Sequence, residues 1–147
     1  MPSIQKLRFW APVALWAGII SGFSTGLFTG ENTGSIIIPL LRWLLPHAHP
    51  ATLAQLHMMI RKGAHFVEYL ILSVLLFRAL RRSSPRTRMS AAVTAIAIAG
   101  LYSIGDEFHQ SFVPGRTAAA SDCLLDVSGA AAGQGLLAAF GVRFRRY

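Results

Sequence analysis

Twenty consecutive residues near the start of the chain carry no charged side chain. This run, FWAPVALWAGIISGFSTGLF, extends from Phe9 to Phe28. At 1.5 Å per residue, a helix of this length crosses the ~30 Å hydrocarbon core of a bilayer. Three more apolar runs follow, at 63–80, 89–105 and 122–142. The sequence therefore predicts an all-α membrane protein, a four-helix bundle formed by one domain over residues 1–147.

Charge supports this prediction against the main alternative for a basic chain. The net charge is +8, which alone would suggest nucleic-acid binding. Only 14% of the residues are charged, however, whereas soluble domains average about 25%. The basic residues also lie in clusters between the apolar runs, as in membrane proteins with a positive-inside topology. We therefore expect a multi-pass membrane protein that binds no nucleic acid.

The same basic residues predict the orientation of the bundle. With the N-terminus inside, ten of the fourteen face the cytoplasm: Lys6, Arg8, Arg78, Arg81, Arg82, Arg86, Arg88, Arg143, Arg145 and Arg146. Four face outward: Arg42, Arg61, Lys62 and Arg116. The positive-inside rule then places both termini in the cytoplasm. In this arrangement residues 34–46 lie outside, and this stretch is too short to span. It is predicted to be an interfacial or re-entrant piece.

Regularly spaced glycines predict close helix packing. Gly18, Gly22, Gly26 and Gly30 recur every four residues, which would make a small-residue stripe for a partner helix. Gly129 and Gly133 form a second such pair in the fourth run.

Polar side chains are concentrated at the outer ends of the predicted spans. Arg61, His65 and Glu68 begin the second span; Asp106, Glu107, His109 and Gln110 end the third; Arg116 follows; Asp122 and Asp126 begin the fourth. Ionisable groups at membrane depth carry a cost and are functional candidates by default. We therefore expect one outward-facing polar pocket rather than isolated helix-stapling pairs.

These residue types allow two kinds of function. In an enzyme, Glu68, His65, Asp106 and His109 would carry proton transfer, or the same four could ligate a divalent cofactor such as Zn²⁺ or Mn²⁺. The guanidinium of Arg116 suits a phosphate group, so the substrate would be a membrane lipid or lipid-linked compound. In a non-catalytic protein, the same pocket would hold a lipid headgroup or a protein partner. Glu68→Gln separates the alternatives, because only catalysis requires that carboxyl group to change protonation or ligate metal.

Three motifs resemble those of the VanZ-like family of bacterial membrane proteins. They are an H-x-x-E-Y segment at His65, Glu68 and Tyr69; a D-E-x-H-Q-x-F-x-P-x-R segment from Asp106 to Arg116; and an aspartate-containing helix that closes with the small-residue pattern S-G-x-x-x-G, SGAAAG here. Ser128 stands where many relatives have asparagine. The resemblance covers residues 57–136.

The resemblance implies a role in the cell envelope, since the family is named for a protein that raises resistance to the lipid-tailed glycopeptide teicoplanin. It supplies no reaction. Within the predicted pocket, the residues outside the four catalytic candidates are expected to bind substrate: Arg61, Tyr69, Glu107, Gln110, Arg116, Asp122 and Asp126.

Overall fold

Five α-helices make up most of the part of the chain that the structure describes. The computed structural model describes residues 3–83, 85, 87–116, 119–142 and 144. The helices are α1 Ser3–Phe23, α2 Gly30–Leu44, α3 Pro50–Ser83, α4 Arg88–Gln110 and α5 Ala120–Ala139, with a short 3-10 turn at Gly26–Phe28. No strand occurs among the described residues. The all-helical prediction is confirmed.

Two of the predicted spans are supported by length and apolarity. Within the described residues, α3 and α4 are each long and apolar enough to cross a membrane. Lys6–Phe23 and Gly26–Leu44 meet the same test together, as one span bent by 62° at a short break. The fourth predicted run is helical as α5, but its small and acidic residues keep it below that test.

The first helix ends earlier in the chain than the sequence indicated. The prediction of one helix over 9–28 is wrong at its end, because α1 stops at Phe23 and the chain turns. Thr29 then caps α2 by accepting a hydrogen bond from the Asn32 backbone amide, 3.2 Å away. The predicted glycine stripe is therefore not one helical face, since Gly26 lies in the turn and Gly30 begins α2.

The central element is α3, which contacts each of the other four helices. Its leucines and Phe77 form the core with an alanine stripe on α4, where Ala91, Ala95 and Ala99 are fully buried at four-residue spacing. Small side chains at this spacing let α4 approach closely.

The predicted close packing at Gly129 and Gly133 of α5 is confirmed. A Cβ atom added at Gly129 would collide with the backbone carbonyl of Phe66. One added at Gly133 would lie 2.8 Å from the backbone oxygen of Leu70. These glycines bring α5 against the turn of α3 that carries His65 and Glu68.

The second helix has an apolar face turned away from the protein. Ile36, Leu40, Trp43 and Leu44 share this face and are exposed, Ile36 at 74% and Trp43 at 77%. The segment at 34–46 is thus part of an amphipathic helix attached to α3.

Candidate functional site

His65 and Glu68 lie near the middle of α3, on one face of the helix, as the motif spacing predicts. Because they are three residues apart in a helix, their side chains share a face. His65 Nδ1 is 3.9 Å from Glu68 Oε2. Both side chains are mostly buried, at 20% and 12% exposure.

A second carboxylate reaches the same histidine from α5. Asp126 Oδ1 lies 3.9 Å from His65 Nδ1, and the Asp126 side chain is 1% exposed. The hydroxyl of Ser103 on α4 donates a 2.6 Å hydrogen bond to Asp126 Oδ2. This bond fixes the carboxylate with Oδ1 on the His65 side. Helices α3 and α5 therefore supply one buried group of side chains, which a hydroxyl group on α4 holds in place. We call this group the Asp126–His65–Glu68 cluster.

One side of the cluster opens into a cavity of about 280 Å³ between α3, the turn after α1 and the loop after α4. Its lining residues are Phe23, Phe28, Thr33, Arg61, Ala64, His65, Glu68 and Arg116. Phe23 and Phe28 are partly exposed and pack edge to face, 4.9 Å between ring centroids. The cavity thus combines two guanidinium groups, one carboxyl group and an aromatic wall.

Backbone carbonyl groups hold the Arg116 guanidinium in place. Gly115 has a φ of 79°, a left-handed conformation that glycine adopts without strain, and the turn aims Arg116 back toward α1. Arg116 donates to the Phe23 and Thr25 carbonyl oxygens and, at 3.3 Å, to Gln110 Oε1. Its Nε is buried and has no hydrogen-bond partner among the residues that the structure describes.

Arg61 is held in a similar way from the opposite side. It donates to the carbonyl oxygen of Phe28 at 3.0 Å and to Thr33 Oγ1 at 2.9 Å. Thr33 Oγ1 also lies 3.1 Å from Nε2 of His57, one turn before Arg61 on α3. These contacts attach the start of α2 to α3 and complete the cavity wall.

The electrostatic balance of the cavity is cationic. Burial lowers the pKa of Arg116, and the neighbouring charge of Arg61 acts in the same direction. An arginine side chain nevertheless keeps its proton at neutral pH. With two guanidinium groups against one carboxyl group, the lining carries a net positive charge when His65 is neutral.

Two predicted catalytic residues lie elsewhere. Asp106 is buried and accepts hydrogen bonds from Ser24 at 2.5 Å and from Gln110 at 2.9 Å. Both Asp106 and the exposed His109 line a different cavity between α1 and α4. The predicted metal set of His65, Glu68, Asp106 and His109 is therefore divided between two cavities. Among the described residues, no three His, Cys, Asp or Glu side chains are grouped to hold a metal ion.

Three predicted substrate-binding residues make contacts within the protein. Glu107 Oε2 accepts the Ala119 backbone amide at 2.9 Å and so supports the start of α5. Asp122 pairs with Lys62 at 3.4 Å between Nζ and Oδ1. Tyr69 is fully buried, with its ring 6.3 Å from that of Tyr102. Gln110 links the two cavities by bonding Arg116, Ser24 and Asp106.

Several residues of the site were not anticipated. Phe23, Ser24 and Phe28 come from the break after α1, which the sequence did not reveal. Ser103 precedes Asp106 by one helical turn, and its position on the motif-bearing face was a usable signal. His57, Arg61 and His65 recur every four residues, which also predicts one face of α3.

One comparison with known proteins identifies a family for this chain. Residues 9–141 match the family model described as VanZ/LLP1, which covers nearly the whole chain. Searches of curated proteins and of solved structures found no match. The matched region includes every residue of the cavity and of the Asp126–His65–Glu68 cluster, and the chain belongs to the VanZ/LLP1 family.

Proposed function

We propose that the protein is a multi-pass protein of the bacterial cytoplasmic membrane that binds the anionic headgroup of an amphiphilic envelope molecule. The observation that carries this proposal is the pairing of Arg61 and Arg116 with Phe23 and Phe28 in one cavity. Guanidinium groups bind phosphate and carboxylate well, and partly exposed aromatic rings suit a hydrocarbon chain. A site with both features fits an amphiphile better than a fully water-soluble anion.

The orientation inferred from charge places this cavity at the outer surface. In the proposed topology α1, α3, α4 and α5 span the membrane, and both termini are cytoplasmic. The exposed apolar face of α2 then lies against lipid at the interface, where Trp43 and Arg42 are favourable. The Phe23–Phe28 wall would face the same leaflet, so an amphiphile could enter laterally.

Family membership supports an envelope role for this site. VanZ-like proteins take their name from resistance to teicoplanin, which carries a lipid tail and acts on cell-wall precursors. We propose that this chain changes susceptibility to such compounds through its anionic-amphiphile site. Expression should then alter growth inhibition by teicoplanin more than inhibition by a glycopeptide without a lipid tail. Equal effects on both compounds would contradict the proposed role of the site in susceptibility to lipid-tailed glycopeptides.

A binding measurement tests the central proposal. Detergent-purified protein is titrated with dioctanoyl phosphatidic acid, dioctanoylglycerol and inorganic phosphate. We expect saturable binding of the phosphatidic acid only, because it alone has both the anionic head and the tails. Equally tight binding of inorganic phosphate would show an ion site, and binding of dioctanoylglycerol would show an apolar site.

Arginine variants locate the bound headgroup. Arg116→Gln should weaken phosphatidic acid binding at least tenfold, which corresponds to ~1.4 kcal/mol. Arg42→Gln is the matched control, because Arg42 is exposed on α2 and does not line the cavity. Unchanged binding in Arg116→Gln, with wild-type thermal stability, would contradict the proposal.

A further inference from the structure

The Asp126–His65–Glu68 cluster contains buried polar atoms that the protein itself does not satisfy. Among the described residues, neither His65 Nδ1 nor Asp126 Oδ1 has a hydrogen-bond partner. Such atoms are uncommon in folded proteins, and each requires an explanation. Asp126 is the more informative, since its other oxygen is held by Ser103 while Oδ1 is aimed at His65.

The distances within the cluster suit a bridging water molecule. His65 Nδ1 lies 3.9 Å from an oxygen of each carboxylate, which is too far for a direct hydrogen bond. A water molecule making bonds of ~2.8 Å can join atoms at that separation. Buried waters generally make two to four hydrogen bonds, and this site offers three polar partners.

We propose that a water bound between His65, Glu68 and Asp126 is the nucleophile for hydrolysis of a phosphomonoester headgroup held in the adjacent cavity. This inference rests on the proposed binding function and names its substrate class. His65 and Glu68 belong to both the cluster and the cavity lining, so the bound water is next to the headgroup site. Arg61 and Arg116 would stabilise the charge on the phosphoryl oxygens.

The hydrogen-bonding capacity of water matches the cluster. The two carboxylates accept both protons of the water, and His65 donates from Nδ1 to one lone pair. The second lone pair is then left to attack phosphorus. A serine nucleophile is not needed, which agrees with the absence of a nucleophile-elbow sequence near the motifs.

The reaction balances with the groups that are present. A bond forms between the water oxygen and phosphorus, and the bond between phosphorus and the lipid oxygen breaks. Glu68 takes one proton from the water and later releases it to solvent. The departing lipid oxygen lies on the opposite side of phosphorus, in line with the attacking water, and takes its proton from solvent water at the open mouth of the cavity. The second water proton stays on the product, so a lipid alcohol and inorganic phosphate are released. Asp126 acts as a positioning residue, since it does not line the cavity.

Isotope labelling tests the reaction directly. Purified protein in detergent is incubated with dioctanoyl phosphatidic acid in ¹⁸O-labelled water, and released phosphate is analysed by mass spectrometry. We expect multiple turnovers, with one labelled oxygen in each phosphate. Glu68→Gln should lower the rate at least a hundredfold, as for removal of a general acid–base group. His109→Gln is the control, because His109 lies in the other cavity.

Binding measurements on the same samples distinguish the two proposals. If the wild type binds phosphatidic acid without releasing phosphate, the hydrolytic inference is overturned and the binding function stands. If it does not bind, both are overturned. Release by Glu68→Gln at the wild-type rate would also overturn the inference.

Ser103→Ala tests the positioning role of Asp126 without changing the buried carboxyl group itself. We expect a lower rate at unchanged substrate affinity, because Asp126 Oδ2 loses its donor and Oδ1 is no longer held toward His65. Ser103→Thr should restore turnover, since it returns the hydroxyl group. A loss of stability without a change in rate would show that Ser103 has a purely structural role and would overturn the positioning step.

Discussion

At the residue scale, the structure separates residues that face the cavity from residues that hold them. Glu68 and His65 face the cavity that contains the two arginines, whereas Asp126 and Asp106 are buried and accept hydrogen bonds from hydroxyl groups on α4 and on the turn after α1. Both buried aspartates use a serine, Ser103 or Ser24, rather than a basic side chain. A serine in such a position is structurally important although its own chemistry is inert.

Removal of the Ser103 hydroxyl should therefore destabilise the protein. In Ser103→Ala the buried Asp126 Oδ2 loses its hydrogen bond, and such losses cost about 1–3 kcal/mol. Thermal unfolding in detergent should show a clearly lower midpoint. Ser128→Ala is the matched control, because the exposed Ser128 donates its hydrogen bond to the Leu125 carbonyl of its own helix. Equal midpoints for the two variants would show that Asp126 does not depend on this bond.

Arg116→Lys tests whether geometry or charge alone is required. The guanidinium reaches three acceptors, on Gln110, Phe23 and Thr25. A lysine ammonium is a compact point charge and cannot reproduce that planar fork. We expect phosphatidic acid binding to weaken by several-fold or more although the charge is kept. Full retention of affinity would mean that the site senses only net charge.

At the element scale, the site depends on the close approach of α5 to α3. Gly129 lies three residues after Asp126, and its contact with Phe66 sets how near Asp126 comes to His65. The break after α1 is equally important, because it supplies Phe23 and Phe28 and permits α2 to pack on α3. A continuous first helix would leave the cavity without a wall.

Gly129→Ala should force α3 and α5 apart. The added methyl group would collide with the Phe66 backbone, and overpacking of this kind costs about 1–3 kcal/mol. We expect a lower thermal unfolding midpoint and weaker binding of phosphatidic acid. Gly135→Ala is the control, since a Cβ there has no atom within 4 Å and alanine favours a helix. A Gly129→Ala variant with the wild-type unfolding midpoint would argue against the close contact between α3 and α5.

Thr33→Val should loosen α2 without changing its shape. The substitution removes the hydroxyl that joins His57 and Arg61 to α2. Hydrogen exchange measured by mass spectrometry should become faster in Gly30–Leu44, with α4 unaffected. Ser35→Ala is the control on the same helix, because Ser35 is exposed and bonds only the Asn32 carbonyl. Unchanged exchange in α2 would show that other contacts hold this helix.

At the scale of the whole molecule, the proposed topology places the cavity outside. Single cysteines in a Cys123→Ala background can test this with a membrane-impermeant maleimide on intact cells. His49→Cys and Ser111→Cys should be labelled, because both positions are exposed and lie in loops that the proposed topology puts outside. Pro85→Cys should react only after lysis. Labelling of Pro85→Cys in intact cells would reverse the orientation.

Much of the architecture follows from local pattern. Long apolar runs determine helices α3 and α4, since burying backbone polar groups in lipid requires a helix. The motif spacings place His65 with Glu68 on one face, and the glycine spacing of α5 predicts its close packing. These features depend on neighbours within a few turns, which a sequence displays directly.

Tertiary structure alone decided which polar residues meet. Asp126 lies beside His65, which is 61 residues earlier in the chain, and Ser24 bonds Asp106, which is 82 residues later. His109 lines a different cavity. Such pairings depend on the approach and rotation of packed helices, and on the break after Phe23. Helical periodicity specifies a face within one helix but not the face that the next helix presents to it. The apolar helices could therefore be predicted from the sequence, whereas the set of residues that form the site could not.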